Sequence, residues 1–418
     1  MMLALYRGAT WLAAPLLRGH LARRVPLGKE EAARLPERYG IASRPRPAGR
    51  LGWLHAASVG ETQSLLPLIS ALLAGEPALS LLVTTGTVTS ARLFQGWQAP
   101  RCLHQYAPLD RRAWVARFLD HWRPDFALWA ESELWPNLLA ETGQRRIPMA
   151  LVNARLSARS LARWRMVPGL IEPLMARFSV VLAQDPLQAE RLAALGARAP
   201  QCLGNLKLAA DPLPVDEAAL AQMRSQLAGR PVWVAASTHP GEERIMAAAH
   251  RALAPRHPGL LTIVVPRHAE RAPGIAAELA AEGWTLARRS AGEPLGESTG
   301  IYLADTMGEL GLFYRLAPVA LVAGSYRWQG HNPVEAALLG AAVASGPRVA
   351  NFQDIYERMR AAQAVTIAEE GELPAAISRL LADPAPAGGR AKAFAETEKA
   401  GILEGILAAL APVTSFHA

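Results

Sequence analysis

Short apolar runs recur along this chain, separated by segments with three-to-four-residue apolar spacing, and that rhythm restricts the fold more than any single motif. The runs fall at residues 52–56, 79–84, 126–130, 149–153 and 180–184, while 62–73 and 110–121 carry the helical spacing. Apolar runs alternating with amphipathic segments predict buried strands and a parallel, doubly wound α/β sheet. Asp211-Pro-Leu-Pro-Val215 interrupts the rhythm. It restarts with runs at 232–236, 261–265, 300–303, 319–323, 342–345 and 364–367. A chain of 418 residues is also long for one core. The sequence therefore predicts an N-terminal basic segment over 1–50 and a Rossmann-like domain over 51–210. A second such domain covers 211–418, its tail from 388 to 410 reading as helices. Two such domains facing one another leave a cleft at their carboxyl strand edges, where open α/β sheets bind ligands.

The densest signal lies at 322–355, VAGSYRWQGHNPVEAALLGAAVASGPRVANFQDI. An apolar strand ends at Gly324-Ser325, a glycine-containing loop follows, and Asn332-Pro333-Val334-Glu335 opens a short Ala/Leu helix. Asn332 suits the N-cap, Pro333 the first helical position and Glu335 a capping-box carboxylate. A strand, a glycine loop and a helix N-terminus offer free N–H groups to a phosphate. An ordinary βαβ unit with nothing bound has the same pattern.

Half of the chain is hydrophobic and under a fifth charged, which places it among globular proteins. Cys102 and Cys202 are the only cysteines, far apart and outside any CxxC spacing, against a disulfide framework or a zinc site. Of the formal charge of +8, +7 lies in residues 1–50, where ten Lys/Arg face Glu30, Glu31 and Glu37. The body is near neutral, unlike a nucleic-acid binder with basic residues spread over a folded face, so no nucleic-acid partner is expected. These charges flank an apolar segment at 9–17 that is too short to span a bilayer. No A-x-A-like cleavage site follows it, as a signal peptide requires. The expectation is a membrane-anchoring helix lying at the surface. Leu3, Leu5, Trp11, Leu12, Leu16 and Leu17 enter the interface and arginines face anionic lipid. The alternative is a helix packed on the protein itself.

Candidate chemistry sits at the strand ends. In the first domain, His55-Ala-Ala-Ser-Val-Gly-Glu61 follows the first strand. Gly60 would free the turn, and Glu61 is either a general base for a sugar hydroxyl or an acid stabilised by the helix dipole. Glu131 and Glu133 follow the 126–130 strand and either could pair with a cation or bind a hydroxyl, or one could cap the helix near Pro136. Arg155 and Arg159, after the next strand, suit an anion. Lys207 precedes the linker and would hang at the cleft.

In the second domain, four successive strand ends carry polar, glycine-containing turns: 236–243, Pro266-Arg267-His268, Asp305 to Glu309, and Asn332 to Glu335. They outline a nucleotide pocket, with base and ribose near 307–309 and Glu335 and phosphate near Arg267 and the 332–334 amides. No GxGxxG with a ribose-binding acid, no P-loop and no DxD-like pair appears. A metal-independent GT-B glycosyltransferase without cofactor fits this layout.

The motifs SVGE at 58–61, ESELWPN at 131–137, NARLS at 153–157 and GNLK at 204–207 occur in order. STHPGEE at 237–243, PRH at 266–268, DTMGEL at 305–310, GHNPVE at 330–335 and NFQDI at 351–355 continue the series. Together with ERYG at 37–40, they resemble the 3-deoxy-D-manno-octulosonic acid (Kdo) transferases of lipopolysaccharide biosynthesis. The resemblance implies a GT-B enzyme moving Kdo from CMP-Kdo to the lipid A precursor (lipid IVA) at the cytoplasmic side of the inner membrane. It implies Glu61 as general base and Glu131 and Lys207 as transition-state-stabilising residues. It also implies a CMP site lined by Pro266, Arg267, Met307, Gly308, Glu309, Asn332, Pro333, Val334 and Glu335. The run at 84–90, the YAPLD at 106–110 and Gln329 depart from the usual pattern; the first two bear on acceptor detail. The alternatives are a UDP-sugar transferase or epimerase on the same scaffold, or an inactive membrane-surface homologue.

Overall fold

The computed structural model describes residues 1–97 and 99–415. The chain forms two compact units, one of residues 1–210 with the C-terminal residues from Ala400, the other of residues 211–399. The tail departs from the expected boundary. The helix Pro384–Thr414 counts with the first unit from Ala400 onward. The reason is a stripe at Ile402, Ile406, Leu410 and Val413, all buried, spaced to fall on one helical face.

The first unit holds a seven-stranded sheet: β1 (Leu51–Ala56), β2 (Ser80–Thr85), β3 (Cys102–Tyr106), β4 (Phe126–Ala130), β5 (Met149–Ala154), β6 (Val180–Ala183) and β7 (Gln201–Cys202). Their order is β3-β2-β1-β4-β5-β6-β7 and every pairing is parallel. β3 and β7 escape the sequence reading because they lie at the edges. The run CLHQY is half polar, and β7 is two exposed residues. On β1 and β4 the register pairs Trp53 with Ala127 and His55 with Trp129, so His55 shares a face with both tryptophans. Trp53 meets Trp129 at 4.9 Å and Phe118 at 5.0 Å between ring centroids, an aromatic core under β1. Gly52 is required there, because a Cβ would lie 2.3 Å from the Phe126 ring.

The helices of this unit begin with α1 (Met2–Leu12) and α2 (Ala14–Arg24), followed by α3 (Val59–Gly75), α4 (Val88–Trp97), α5 (Arg112–Trp122), α6 (Pro136–Gln144), α7 (Ala158–Arg165) and α8 (Pro168–Met175). α1 is held by side chains: Tyr6 Oη donates to Asp110 at 2.8 Å and Arg7 pairs with Glu141 at 2.6 Å. Leu3 packs into the core, contrary to the expectation that it faces lipid. Leu5, Trp11, Leu12 and Leu16 remain exposed, Leu16 by 78 %. No helix among the described residues is long and apolar enough to cross a membrane.

The ERYG segment acts as a clasp. Arg38 is buried, pairs with buried Glu30 at 3.0 Å, and donates to the carbonyls of Gly86 and Ala107 at the ends of β2 and β3. Glu37 accepts the Tyr106 amide at 2.6 Å and two bonds from Arg34. Gly40 turns at φ +73°, where a Cβ would fall 1.9 Å from the Trp114 carbonyl oxygen; only glycine fits.

The second unit repeats the plan with β8 (Val232–Thr238), β9 (Leu261–Pro266), β10 (Leu286–Arg288), β11 (Ile301–Leu303), β12 (Val319–Val322), β13 (Ala342–Ser345) and β14 (Thr366–Ile367). The order is β10-β11-β9-β8-β12-β13-β14, again all parallel. The edge strand β10 was not anticipated; it is three residues long and only partly buried.

Removing the Arg38 guanidinium leaves the buried Glu30 carboxylate with only the partly exposed Arg24 at 3.3 Å, and breaking a buried pair of this kind costs up to about 3–5 kcal/mol. Arg38→Met should therefore lower the urea midpoint of the first unit, followed by tryptophan fluorescence. The double variant Glu30→Leu/Arg38→Met should recover much of the loss, because no buried unpaired charge remains and Arg24 can reach solvent.

Candidate active site

Each sheet reverses its winding beside its first strand, between β1 and β4 in one and between β8 and β12 in the other. Crevices open at the carboxyl ends of such strand pairs. The motifs gather there.

At the β1/β4 point, Ser58 caps α3 and Glu61 is its third residue. Ser58 Oγ accepts the Glu61 amide at 3.3 Å and donates to Glu61 Oε1 at 2.8 Å, while Glu61 Oε2 takes the Ala57 amide at 2.7 Å. This is a variant of the capping box in which the carboxylate binds the cap hydroxyl and the preceding amide. The carboxylate is nearly buried. Burial, and next the charge of Glu133, raise its pKa; the bonds from Ala57 and Ser58 oppose them. Gly60 does not free the turn as expected. It lies within α3, with no left-handed φ and open space where a Cβ would be.

After β4, Glu131 adopts φ +50°, a rare conformation for a residue with a side chain. Its Oε1 pairs with Lys207 Nζ at 2.8 Å. Lys207 sits on the turn Leu206–Ala209, which packs against α3. That turn is pinned by Asn153, itself at φ +52°, whose Oδ1 accepts the Leu206 amide at 2.9 Å. NARLS and GNLK are thus one assembly, and it brings Lys207 to Glu131. Arg155 and Arg159 are exposed, and among the described residues no ion pair draws either into this group.

Glu133 points another way. It accepts the Trp135 indole N–H at 2.6 Å and lies 3.8 Å from His55 Nε2. Burial pushes its pKa up, but His55 and Trp135 hold it below the usual carboxylate range. Neither acid caps α6. Asp110 does so from the loop after β3, accepting the Asn137 amide at 3.0 Å and the Leu138 amide at 2.8 Å.

At the β8/β12 point a buried carboxylate organises two loops. Glu242 accepts the amides of His239, Gly324, Tyr326 and Arg327 at 2.7–3.2 Å. His239 then reaches His331 at 2.9 Å between Nε2 atoms and stacks on Trp328. Burial, then His239 and Arg267, hold His331 down to about 4, so it is neutral at neutral pH. Arg267 follows Pro266 at the end of β9 and is exposed. Met307 is 73 % exposed beside Gly308 at φ +86°. Glu309 is already engaged, in two bonds from Arg289 at 2.6 and 3.1 Å.

The helix at Asn332 is corrected by one residue. Pro333 is the N-cap of Val334–Leu338, and Asn332 stands before it, its Oδ1 accepting the Val334 amide at 3.0 Å. Glu335 meets the Asn332 side chain at 3.4 Å rather than a backbone amide. Pro333 has no N–H and the Val334 amide is taken, so the expected row of free amides over 332–334 is not formed. Burial raises the Glu335 pKa against Asn332 and Arg267.

A family model for 3-deoxy-D-manno-octulosonic-acid transferase matches residues 33–210. The probable mitochondrial 3-deoxy-D-manno-octulosonic acid transferase of Arabidopsis thaliana is 35 % identical over 395 residues, 91 % of this chain and 88 % of that one. The chain belongs to the 3-deoxy-D-manno-octulosonic acid transferase family. The Bordetella pertussis member is 37 % identical over 383 residues, 87 % of each chain. In fold, the chain resembles UDP-GlcNAc 2-epimerase from Neisseria meningitidis, with a TM-score of 0.59 at 13 % identity over 87 % of this chain and all of that one. These findings bear out the resemblance drawn from the motifs and the GT-B fold class.

Three residues had no role in the sequence reading: His55, Asp110 and Glu242. Each lies inside or beside a quoted motif, but their partners come from distant loops and cannot be read from local spacing.

Glu61 should titrate above the ordinary carboxylate range in a carboxyl-selective NMR experiment. Ser58→Ala removes a bond to the anion and should move that pKa up. Glu133→Gln removes a neighbouring negative charge and should move it down.

Proposed function

We propose that this chain is an inverting glycosyltransferase that moves Kdo from CMP-Kdo to a lipid A precursor. The observation that carries the reading is Glu61. It is a nearly buried carboxylate with raised proton affinity, fixed by α3 at the β1/β4 switch point near the Glu131–Lys207 pair, in a member of the Kdo transferase family.

The chemistry follows from the charges. As CMP departs, the anomeric carbon gains oxocarbenium character. Glu61 removes the proton from the attacking acceptor hydroxyl, a task suited to a carboxylate whose pKa has been raised toward working pH. Lys207, held by Glu131, supplies positive charge to the anionic sugar. Arg267 faces the leaving phosphate of CMP, and Pro266, Met307, Gly308, Glu309 and Asn332 to Glu335 shape the nucleotide site. With no N–H at Pro333 and the Val334 amide engaged, Arg267 is the principal counter-charge for the phosphate.

The membrane is the second half of the proposal. An amphiphilic acceptor resides in a bilayer, and α1 and α2 expose Leu5, Trp11, Leu12 and Leu16 among Arg18, Arg23 and Lys29. That composition suits the cytoplasmic face of the inner membrane, with the helices lying on the surface.

Glu61→Ala should reduce kcat for transfer from CMP-Kdo, generated in situ, to a tetra-acylated lipid A precursor by roughly 100- to 10,000-fold. Absence of product from the folded wild type would remove the assignment, and the product mass counts the sugars added. Replacing Leu5, Trp11, Leu12 and Leu16 with serine should abolish flotation with vesicles containing anionic lipid. Transfer to a detergent-dispersed acceptor should continue.

A further inference from the structure

A cavity of about 300 Å³ lies in the first unit at the carboxyl ends of β1 and β2, bordered by Ala57, Gly86, Leu109 and Leu21. It opens beside Ala57, whose amide binds Glu61. Most polar groups in its wall are already satisfied. Glu30 takes Arg24 and Arg38, and Asp110 takes Tyr6 and two α6 amides.

His55 is the exception. It is 2 % exposed, and its Nε2 is the one buried side-chain nitrogen or oxygen without a partner that lines this cavity, among the described residues. Buried polar atoms are nearly always paired, so an orphan facing a cavity points to a ligand. Its tautomer is assigned from the hydrogen bonds around it. Thr84 Oγ1 accepts the Trp53 indole N–H at 2.9 Å, and its own hydrogen has two acceptors within reach, His55 Nδ1 at 2.9 Å and the Leu54 carbonyl at 3.4 Å. Assigning the hydroxyl hydrogen to the shorter contact takes Nδ1 as the acceptor and the hydrogen on Nε2, toward the cavity. Glu133 Oε2 stands 3.8 Å from Nε2. That is too far for a direct hydrogen bond and close enough for one oxygen to bridge the two.

We propose that His55 and Glu133 form a hydroxyl-reading pair, and that the cavity is a subsite for the acceptor sugar next to the attacked position. A single hydroxyl satisfies both groups, its oxygen accepting from Nε2–H and its hydrogen going to the Glu133 carboxylate. An ether, a hydrocarbon chain or a fully ionised phosphate does not, because none both accepts and donates there while the carboxylate is ionised. The hydroxyl is one other than the nucleophile, which belongs to Glu61. This inference rests on the transfer reading above and assigns specificity within it.

The test is steady-state transfer of Kdo by the full chain to the acceptor and to analogues each lacking one hydroxyl, the attacked one kept. Wild type should lose roughly 10- to 100-fold in kcat/KM on a single analogue, the range for a hydrogen bond to charged partners. His55→Phe should lose a similar factor on the intact acceptor and lose nothing further on that analogue, since substrate and protein deletions then remove one interaction. Glu133→Gln, nearer the surface, should show the same coupling and serves if His55→Phe does not fold. Wild-type rates in a folded variant, or losses that multiply on every analogue, overturn the subsite while leaving the function intact. A wild type that transfers no Kdo to the intact acceptor overturns both.

Discussion

The reversal of winding beside the first strand of each sheet governs everything that can happen at the carboxyl edge. To the left of β1 the chain steps to β2 and β3, and to the right it resumes at β4. Loops leaving β1 and β4 therefore diverge, and the gap between them is the one place along the edge that no crossover helix fills. Glu61 enters it from β1 and Glu131 from β4. The same geometry in the second sheet receives His239 after β8 and His331 after β12. Motifs some 70 to 90 residues apart become neighbours because of strand order, not because of anything in their own composition.

The site also depends on local backbone that is out of the ordinary. Glu131, just after β4, and Asn153, near the end of β5, both occupy the left-handed region. For Asn the conformation is tolerable, while for Glu it is a strain of order 1–3 kcal/mol that the surroundings must hold in place. What holds it is visible: the Glu131 amide is bonded to the Val152 carbonyl, and its carboxylate to Lys207. The second unit uses a carboxylate instead. Glu242 gathers four amides from two loops, a role in which charge-assisted bonds do the work of a short stretch of sheet.

Much of this was legible in the sequence, and the failures have a common cause. Central strands such as 126–130 announce themselves because burial on both faces demands an unbroken apolar run, whereas β3, β7 and β10, at or next to the edges, carry no such demand. The parallel fold, the linker and the motif-bearing loops follow from that pattern. Which acid caps α6 does not follow, because Asp110 arrives from another loop, and Glu61 at a helix start can be read as a general base or as an acid stabilised by the helix dipole. The ERYG segment, quoted only as part of a resemblance, proves to be the clasp for β2 and β3. The short helix at 334 was placed one residue early because Asn332 and Pro333 satisfy capping preferences in either register.

The two readings of Glu61, an acid at a helix start and a proton acceptor, are not in competition. A general base must be held within a fraction of an ångström of the proton it removes, and a long side chain loses that precision unless something fixes it. The bonds from Ala57 and Ser58 supply the fixing, yet they also stabilise the anion and would leave a poor base if nothing opposed them. Burial opposes them, and Glu133 adds to it. Because His55 sits against Glu133, the charge that raises the proton affinity of Glu61 is itself bordered by the cavity proposed as the acceptor subsite. A hydroxyl that donates to Glu133 would draw off part of its negative charge, easing the repulsion on Glu61 when the acceptor is seated. On the proposed subsite, binding and basicity at this edge of the sheet would be coupled through one carboxylate.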